Sequence, residues 1–182
     1  MEASHRTPDY DLFIKECRLI TEIKEIDNPP CGTKILGSHI RAKIGDAAPQ
    51  LKRASQGLYP SLLVIYDLKD PGLRWNSEPH DFLAAMHGAP QIILGVPHPV
   101  GEVYVQGTKH GPGRKTTDSA NTSISALSSL WRGFDGVLRL DIFHNVFAKI
   151  PIAPDILKTM NSSQYTVDPE NISLLEWVPL SM

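Results

Sequence analysis

The most constraining feature of the sequence is a continuous apolar run at residues 61–66 (SLLVIY), which ends at Asp67. The run is rich in residues that favour β-strands, as expected for a strand that is buried on both of its faces. Directly before it, residues 39–56 carry apolar side chains at steps of three and four residues, which predicts an amphipathic helix. Because Gly45 and Pro49 interrupt that pattern, we expect a kink or two shorter helices.

Two further runs rich in β-formers, residues 9–14 and 18–26, are separated by only three residues. A connection that short predicts an antiparallel hairpin. Residues 27–38 contain two prolines and two glycines, which predicts a loop, and Ser38 at its end is a suitable cap for the following helix. Strand, helix and strand thus follow one another, and the sequence predicts an α/β fold.

The hairpin brings charged residues together. Side chains two residues apart in a strand share a face, so Glu22 and Lys24 project together. In an antiparallel hairpin the numbers of facing residues have a constant sum, and an odd sum puts an aspartate of the first strand on the face of Glu22. A two-residue turn gives the sum 31 and sets Asp9 opposite Glu22, whereas a wider loop with the sum 33 sets Asp11 there.

These residue types favour one kind of chemistry. Two neighbouring carboxylates repel each other unless a cation lies between them, and oxygen ligands suit Mg²⁺ or Mn²⁺. Such an ion can polarise a phosphodiester, stabilise developing negative charge and lower the pKa of a bound water. Lys24 would orient that water or help to deprotonate it. The spacing therefore predicts a metal site that hydrolyses phosphodiester bonds.

The same residues resemble a known family. Pro8 and Asp9, followed by Glu22, Ile23 and Lys24, match the signature of the PD-(D/E)XK nucleases, which is Pro-Asp, then Asp or Glu, any residue and Lys. In that family the two parts of the motif lie on adjacent antiparallel strands, and a helix then leads to a further core strand. The resemblance implies a restriction-endonuclease-like central mixed sheet flanked by helices, here with a C-terminal extension.

The resemblance also implies roles for individual residues. Asp9 and Glu22 would be ligands of Mg²⁺ or Mn²⁺ together with the backbone carbonyl of Ile23, and Lys24 would be the catalytic lysine. Some branches of the family carry a functional glutamine on the following helix, for which Gln50 is the candidate. Lys52 and Arg53, on the same helix, are candidates for contacts with nucleic acid.

The resemblance covers roughly residues 7–67. The family core normally has a helix and a strand before the Pro-Asp strand, whereas eight residues precede Asp9 here. Either the chain is truncated at its start or later elements supply those positions. We expect a single domain over residues 1–182, in which residues 1–96 form the catalytic core and residues 97–182 extend the sheet or form a substrate-binding subdomain.

The second half of the chain has a basic segment at residues 107–116. Its Lys109, Arg114 and Lys115 are candidates for contacts with a nucleic-acid backbone, and the alternative is a plain solvated loop. Residues 107–120 as a whole, rich in Gly, Lys, Thr and Ser, are expected to be mobile or to face a ligand. The other predicted elements are a short helix at 80–86, strands at 91–96 and 102–105, a helix at 121–132, strands at 137–143 and 146–152, a short helix at 155–160 and a strand at 172–178.

The composition limits the partners and the compartment. The chain has 18 Lys and Arg against 20 Asp and Glu, a net charge of -2, so nucleic acid must be bound by a local patch. Cys17 and Cys31 have no CxxC spacing, which argues against a structural zinc site and a disulfide framework and favours a reducing cytoplasm. Neither a signal peptide nor an apolar run long enough to span a membrane is visible in the sequence.

The sequence therefore predicts a cytoplasmic, Mg²⁺-dependent endonuclease that cleaves DNA, with RNA as the less favoured substrate. Many proteins of this fold cut as dimers, so a homodimer is compatible with the resemblance. One rival hypothesis is a non-catalytic nucleic-acid-binding or regulatory module that retains the fold. A third is an interaction or assembly protein whose hairpin charges are only surface residues.

Overall fold

The computed structural model of the chain describes residues 7–26, 35–67, 77–96, 101–160, 162–168 and 176–180. In chain order its elements are β1 (Tyr10–Ile14), β2 (Cys17–Glu25), α1 (Ser38–Ser55), β3 (Ser61–Asp67), α2 (Pro79–His87), β4 (Pro90–Gly95), β5 (Tyr104–His110), β6 (Ala126–Arg132), β7 (Leu138–His144), α3 (Pro154–Leu157), a 3₁₀ turn (Lys158–Met160), β8 (Ser162–Thr166) and β9 (Val178–Pro179). None of the helices in these ranges is long and apolar enough to cross a membrane.

Seven of these strands form one sheet, in the order β1-β2-β3-β6-β7-β8-β9. The sheet is mixed: β2, β3 and β6 are parallel, while β1 and β7 run antiparallel to their neighbours β2 and β6. α1 is the crossover that returns the chain from β2 to its parallel neighbour β3. β4 and β5 pair separately as a two-stranded antiparallel ribbon. The predicted mixed α/β architecture with a central mixed sheet is thus confirmed.

The apolar run in β3 is buried on both faces, as the sequence predicts. Leu63 and Ile65 pack into a core with the apolar sides of α1 and α2. Leu62 and Val64 point to the opposite face, where Leu157 of α3 belongs to a second core. A strand in this position has no solvent-facing side, which explains why its sequence does not alternate between apolar and polar residues.

α1 is one continuous helix, so the two shorter helices that Gly45 and Pro49 allowed are not formed. Pro49 removes one helical hydrogen-bond donor, at a cost of about 3 kcal/mol in a helix interior. Burial of the apolar stripe on the sheet side offsets this cost. That stripe consists of Ile40, Ile44, Ala47 and Leu51, all fully buried.

The start of α1 also differs from the prediction. Ser38 is the first helical residue rather than the cap, and the cap position is taken by Gly37 with a φ of 70°. The N–H of Gly37 donates to Asp81 Oδ1 at 3.0 Å. A Cβ atom on Gly37 would lie 2.6 Å from the carbonyl oxygen of Asp81 and 2.8 Å from the nitrogen of Ala85. α1 and α2 approach so closely here that glycine is required.

Three predictions for the second half are wrong. Residues 121–132, predicted to be a helix, contain the strand β6. Hydrogen bonding to β3 on one edge and to β7 on the other outweighs the helical spacing of the apolar residues. Residues 146–152 form turns rather than a strand, and β5 extends to His110 instead of ending at residue 105. The predicted strand at 172–178 lies mainly outside the described residues, and β9 is Val178–Pro179.

Residues 107–120, predicted to be mobile or to face a ligand, are held in place over much of their length, and Ser119 lines a cavity. The first of these residues belong to β5. Beyond them, the backbone N–H of Lys115 donates to the carbonyl of Ala85 at 3.0 Å, and that of Thr116 donates to the carbonyl of Met86 at 3.0 Å. Thr116 is completely buried. Because these bonds cap the last turn of α2, the chain is held against that helix rather than free in solvent.

Candidate active site

The β1–β2 hairpin has the shorter of the two expected connections, a two-residue turn. Tyr10 pairs with Thr21, which gives the sum 31 along the whole hairpin. Asp9, one residue before β1, therefore lies opposite Glu22. The alternative register, with Asp11 opposite Glu22, is wrong.

Hydrogen bonds link Asp9 with Glu22 and with its neighbour Ile23. The carboxylate of Asp9 accepts a hydrogen bond from the backbone N–H of Ile23 at 2.7 Å, and the N–H of Asp9 donates to Glu22 Oε2 at 3.3 Å. In a strand the N–H and C=O groups of one residue point to the same side. The carbonyl of Ile23 therefore faces the edge at which the Asp9 carboxylate lies. The carboxylates of Asp9 and Glu22 and the carbonyl of Ile23 thus belong to the same end of the hairpin.

Lys24 completes the group. Its ammonium nitrogen lies 2.5 Å from Glu22 Oε1. The Glu22 side chain is 1% exposed and that of Lys24 is 22% exposed, so the pair lies at the boundary between core and solvent. A carboxylate this deeply buried requires a charged or hydrogen-bonding partner, which Lys24 supplies.

Gln50 of α1 is buried beside the start of the hairpin. Its Nε2 donates to the carbonyl of Thr7 at 3.4 Å. Its Oε1 is also buried, and it has no hydrogen-bond partner among the described residues. A buried carbonyl oxygen left in that condition costs about 1–3 kcal/mol, so the position favours a further donor such as water.

Asp11 is committed to another contact. Arg18 binds its carboxylate with two nitrogens at 2.7–3.0 Å. The hydrogen bond and charge of Arg18 hold the pKa of Asp11 below its ordinary value. The guanidinium of Arg18 also lies over the ring of Tyr59, 4.4 Å from its centroid. Asp11 thus belongs to an Arg18-centred cluster and not to the Asp9–Glu22 pair.

The predicted basic residues lie on three separate parts of the fold. Lys52 and Arg53 are exposed in the last turn of α1, and Lys109 is exposed on the β4–β5 ribbon. Arg114 and Lys115 belong to the segment that is held against α2. Within the described residues, none of these five side chains bonds to Asp9, Glu22 or Lys24.

A cavity next to α1 could not be predicted from the sequence. Lys52 lines this cavity of 780 Å³ together with Tyr59, Asn121 and Lys149. No spacing in the sequence connects Lys52 with Lys149, because only the packing of two distant loops against α1 brings them together. Arg53, the neighbour of Lys52, does not line this cavity.

Within the described ranges, no group of three or more His, Cys, Asp and Glu side chains is placed to hold a metal ion. A site at Asp9 and Glu22 would instead combine two carboxylates with a backbone carbonyl. Comparisons with protein-family models, curated proteins and solved structures find no match for this chain. The function is therefore inferred from the geometry of the site itself.

Proposed function

We propose that this chain is a Mg²⁺- or Mn²⁺-dependent nuclease with the restriction-endonuclease-like fold, which hydrolyses phosphodiester bonds of DNA. The observation that supports this most strongly is the meeting of Asp9, Glu22 and Lys24 on two adjacent antiparallel strands. Asp9 bonds to the backbone next to Glu22 at 2.7 Å, and Lys24 lies 2.5 Å from Glu22.

The donor set fits a small divalent cation. Asp9, Glu22 and the carbonyl of Ile23 are hard oxygen ligands, which Mg²⁺ and Mn²⁺ prefer. The two carboxylates and one ammonium leave a net negative charge, which a divalent ion would neutralise. The Asp9 side chain is exposed, so the site is open to water and substrate. The bound ion would supply Lewis-acid polarisation of the phosphodiester and stabilise negative charge.

The protein's own residues position the reaction. In the hydrolysis a water oxygen attacks phosphorus, the bond from phosphorus to the leaving oxygen breaks, and that oxygen takes up a proton. Lys24 donates a hydrogen bond that orients the attacking water, and the buried carboxylate of Glu22 keeps Lys24 in position. Gln50 donates to the carbonyl of Thr7 and so helps to hold the residues before Asp9 against α1.

The test is nicking of supercoiled plasmid in Mg²⁺ and in EDTA. We expect nicking by the wild type that EDTA abolishes and that Lys24→Ala and Glu22→Gln reduce by roughly a hundredfold or more. Lys158→Ala is the matched control, because Lys158 follows α3 on the opposite face of the sheet and pairs with Asp155. Absence of nicking by the wild type, or equal nicking by all four proteins, contradicts the proposal.

A second candidate is a non-catalytic nucleic-acid-binding or regulatory module with the same fold. The ion pair between Lys24 and Glu22 favours it, because Glu22 is already compensated without any metal. Salt-sensitive retention of DNA without nicking is the result that this candidate predicts.

A further inference from the structure

The cavity next to Lys52 lies between the C-terminal half of α1 and residues 119–123. Ala48, Pro49, Lys52 and Ser55 line it from the helix, and Ala48, Lys52 and Ser55 lie roughly 140–200° around α1 from Gln50. The cavity and the Asp9–Glu22 pair are therefore on different flanks of the same helix. Its volume of 780 Å³ is large enough for a ligand of several groups.

The described part of the cavity lining is positively charged. Among the lining residues that the structure describes, Lys52 and Lys149 are charged and none is acidic. Neither lysine forms an ion pair within the described parts of the chain. Arg18, Arg139 and Lys158, in contrast, each bind an aspartate. Two unpaired lysines around a polar cavity indicate a polyanionic ligand.

The walls of the cavity are held in place before any ligand binds. The backbone N–H of Lys149 donates to the carbonyl of Thr122 at 2.8 Å. The side chain of Asn121 donates to the carbonyl of Lys115 at 2.6 Å, and the hydroxyl of Ser61 donates to the carbonyl of Ser123 at 2.6 Å. A cavity fixed in this way binds without the entropy cost of ordering its loops.

Tyr59 connects the cavity with the hairpin. Its ring lines the cavity, and the Arg18 guanidinium lies 4.4 Å from the ring centroid. Arg18 and Glu22 are four residues apart on β2, on the same face of the strand. At about 3.3 Å per residue they are about 13 Å apart along the strand. The Asp9–Glu22 pair and the Arg18–Tyr59 contact that borders the cavity therefore lie at separate positions along β2.

We propose that this cavity binds the phosphodiester backbone of the strand that enters the Asp9–Glu22 site, away from the bond that is cleaved. Lys52 and Lys149 each contact a phosphate. This inference rests on the proposed nuclease function, because that function supplies the substrate.

The test measures binding in EDTA, where cleavage does not interfere. A fluorescently labelled oligonucleotide, single-stranded or duplex, is titrated with the wild type, Lys52→Ala, Lys149→Ala and the double variant over a range of salt concentrations. Each single variant is expected to weaken binding about fivefold and to reduce the slope of log K against log salt by about one. The double variant is expected to reduce that slope by about two. Lys158→Ala, with the same loss of charge on the opposite face, is expected to bind as the wild type does.

Three results would overturn the inference: no binding by the wild type, wild-type salt slopes in the Lys52 and Lys149 variants, or an equal loss in Lys158→Ala. The inference and the nuclease proposal fail separately. Lysine-dependent binding without plasmid nicking would contradict the nuclease proposal and support the cavity as a nucleic-acid site. Metal-dependent nicking with unchanged salt slopes in the lysine variants would contradict the role of the cavity and support the nuclease proposal.

Discussion

The ammonium group of Lys24 lies 2.5 Å from the carboxylate of Glu22, a side chain that is only 1% exposed. The only other donor to Glu22 that the structure describes is the backbone N–H of Asp9, at 3.3 Å. Glu22 lies on the face of β2 that also carries Ile20, a fully buried core residue. Lys24 therefore has a structural role that is independent of any catalysis.

This relationship predicts that Lys24→Ala is destabilising at neutral pH. Removal of one partner leaves a buried carboxylate without its cation, at a cost of about 3 kcal/mol in the free energy of unfolding. Equilibrium unfolding in urea measures this difference. Lys158→Ala breaks an exposed ion pair and is expected to have little effect. Equal midpoints for the two variants would mean that Glu22 does not depend on Lys24.

Two glycines of α1 are predicted to respond oppositely to alanine. Gly37→Ala places a Cβ atom 2.6 Å from a backbone oxygen of α2 at a φ of 70°, and we expect it to destabilise the protein by more than about 2 kcal/mol. Gly45 is exposed within the helix with nothing within 4 Å of an added Cβ, so Gly45→Ala should stabilise by about 0.5–1 kcal/mol. Thermal unfolding of both variants is the measurement, and a shift in the same direction would contradict the prediction.

The burial of His87 predicts that the folded protein loses stability in mild acid. The residue is 1% exposed, and burial, followed by the positive charges of His110 and Arg114, lowers the pKa of His87 from 6.5 to about 4. Between these two values the unfolded chain binds a proton that the folded chain does not. The free energy of unfolding should therefore fall as the pH decreases from about 6.5 to about 4, by up to about 3 kcal/mol from this residue.

Urea unfolding at a series of pH values checks this dependence. His87→Gln should flatten the curve in that window, although His144, whose pKa burial also lowers, retains a smaller contribution. An unchanged slope in His87→Gln would show that the acid sensitivity arises elsewhere.

The local parts of the fold and site could be predicted from the sequence. The two-residue turn and the alternation of side chains along β2 bring Asp9, Glu22 and Lys24 together, and both follow from patterns within the first hairpin. β6 could not be predicted, because its spacing suits a helix and only its neighbours in the sheet make it a strand. The roles of Gly37 and Lys149 could not be predicted for a similar reason, because they depend on packing between elements that are distant in sequence.

The most direct test of the central claim is the binding of Mn²⁺, followed by electron paramagnetic resonance of the free ion. A single Mn²⁺ site is expected in the wild type, and this site is expected to be lost in Asp9→Asn and in Glu22→Gln. Asp11→Asn should retain it, because Arg18 binds the carboxylate of Asp11, which lies two residues further along the chain in β1. Wild-type Mn²⁺ binding in Asp9→Asn and Glu22→Gln, or no binding in any of these proteins, would contradict the claim.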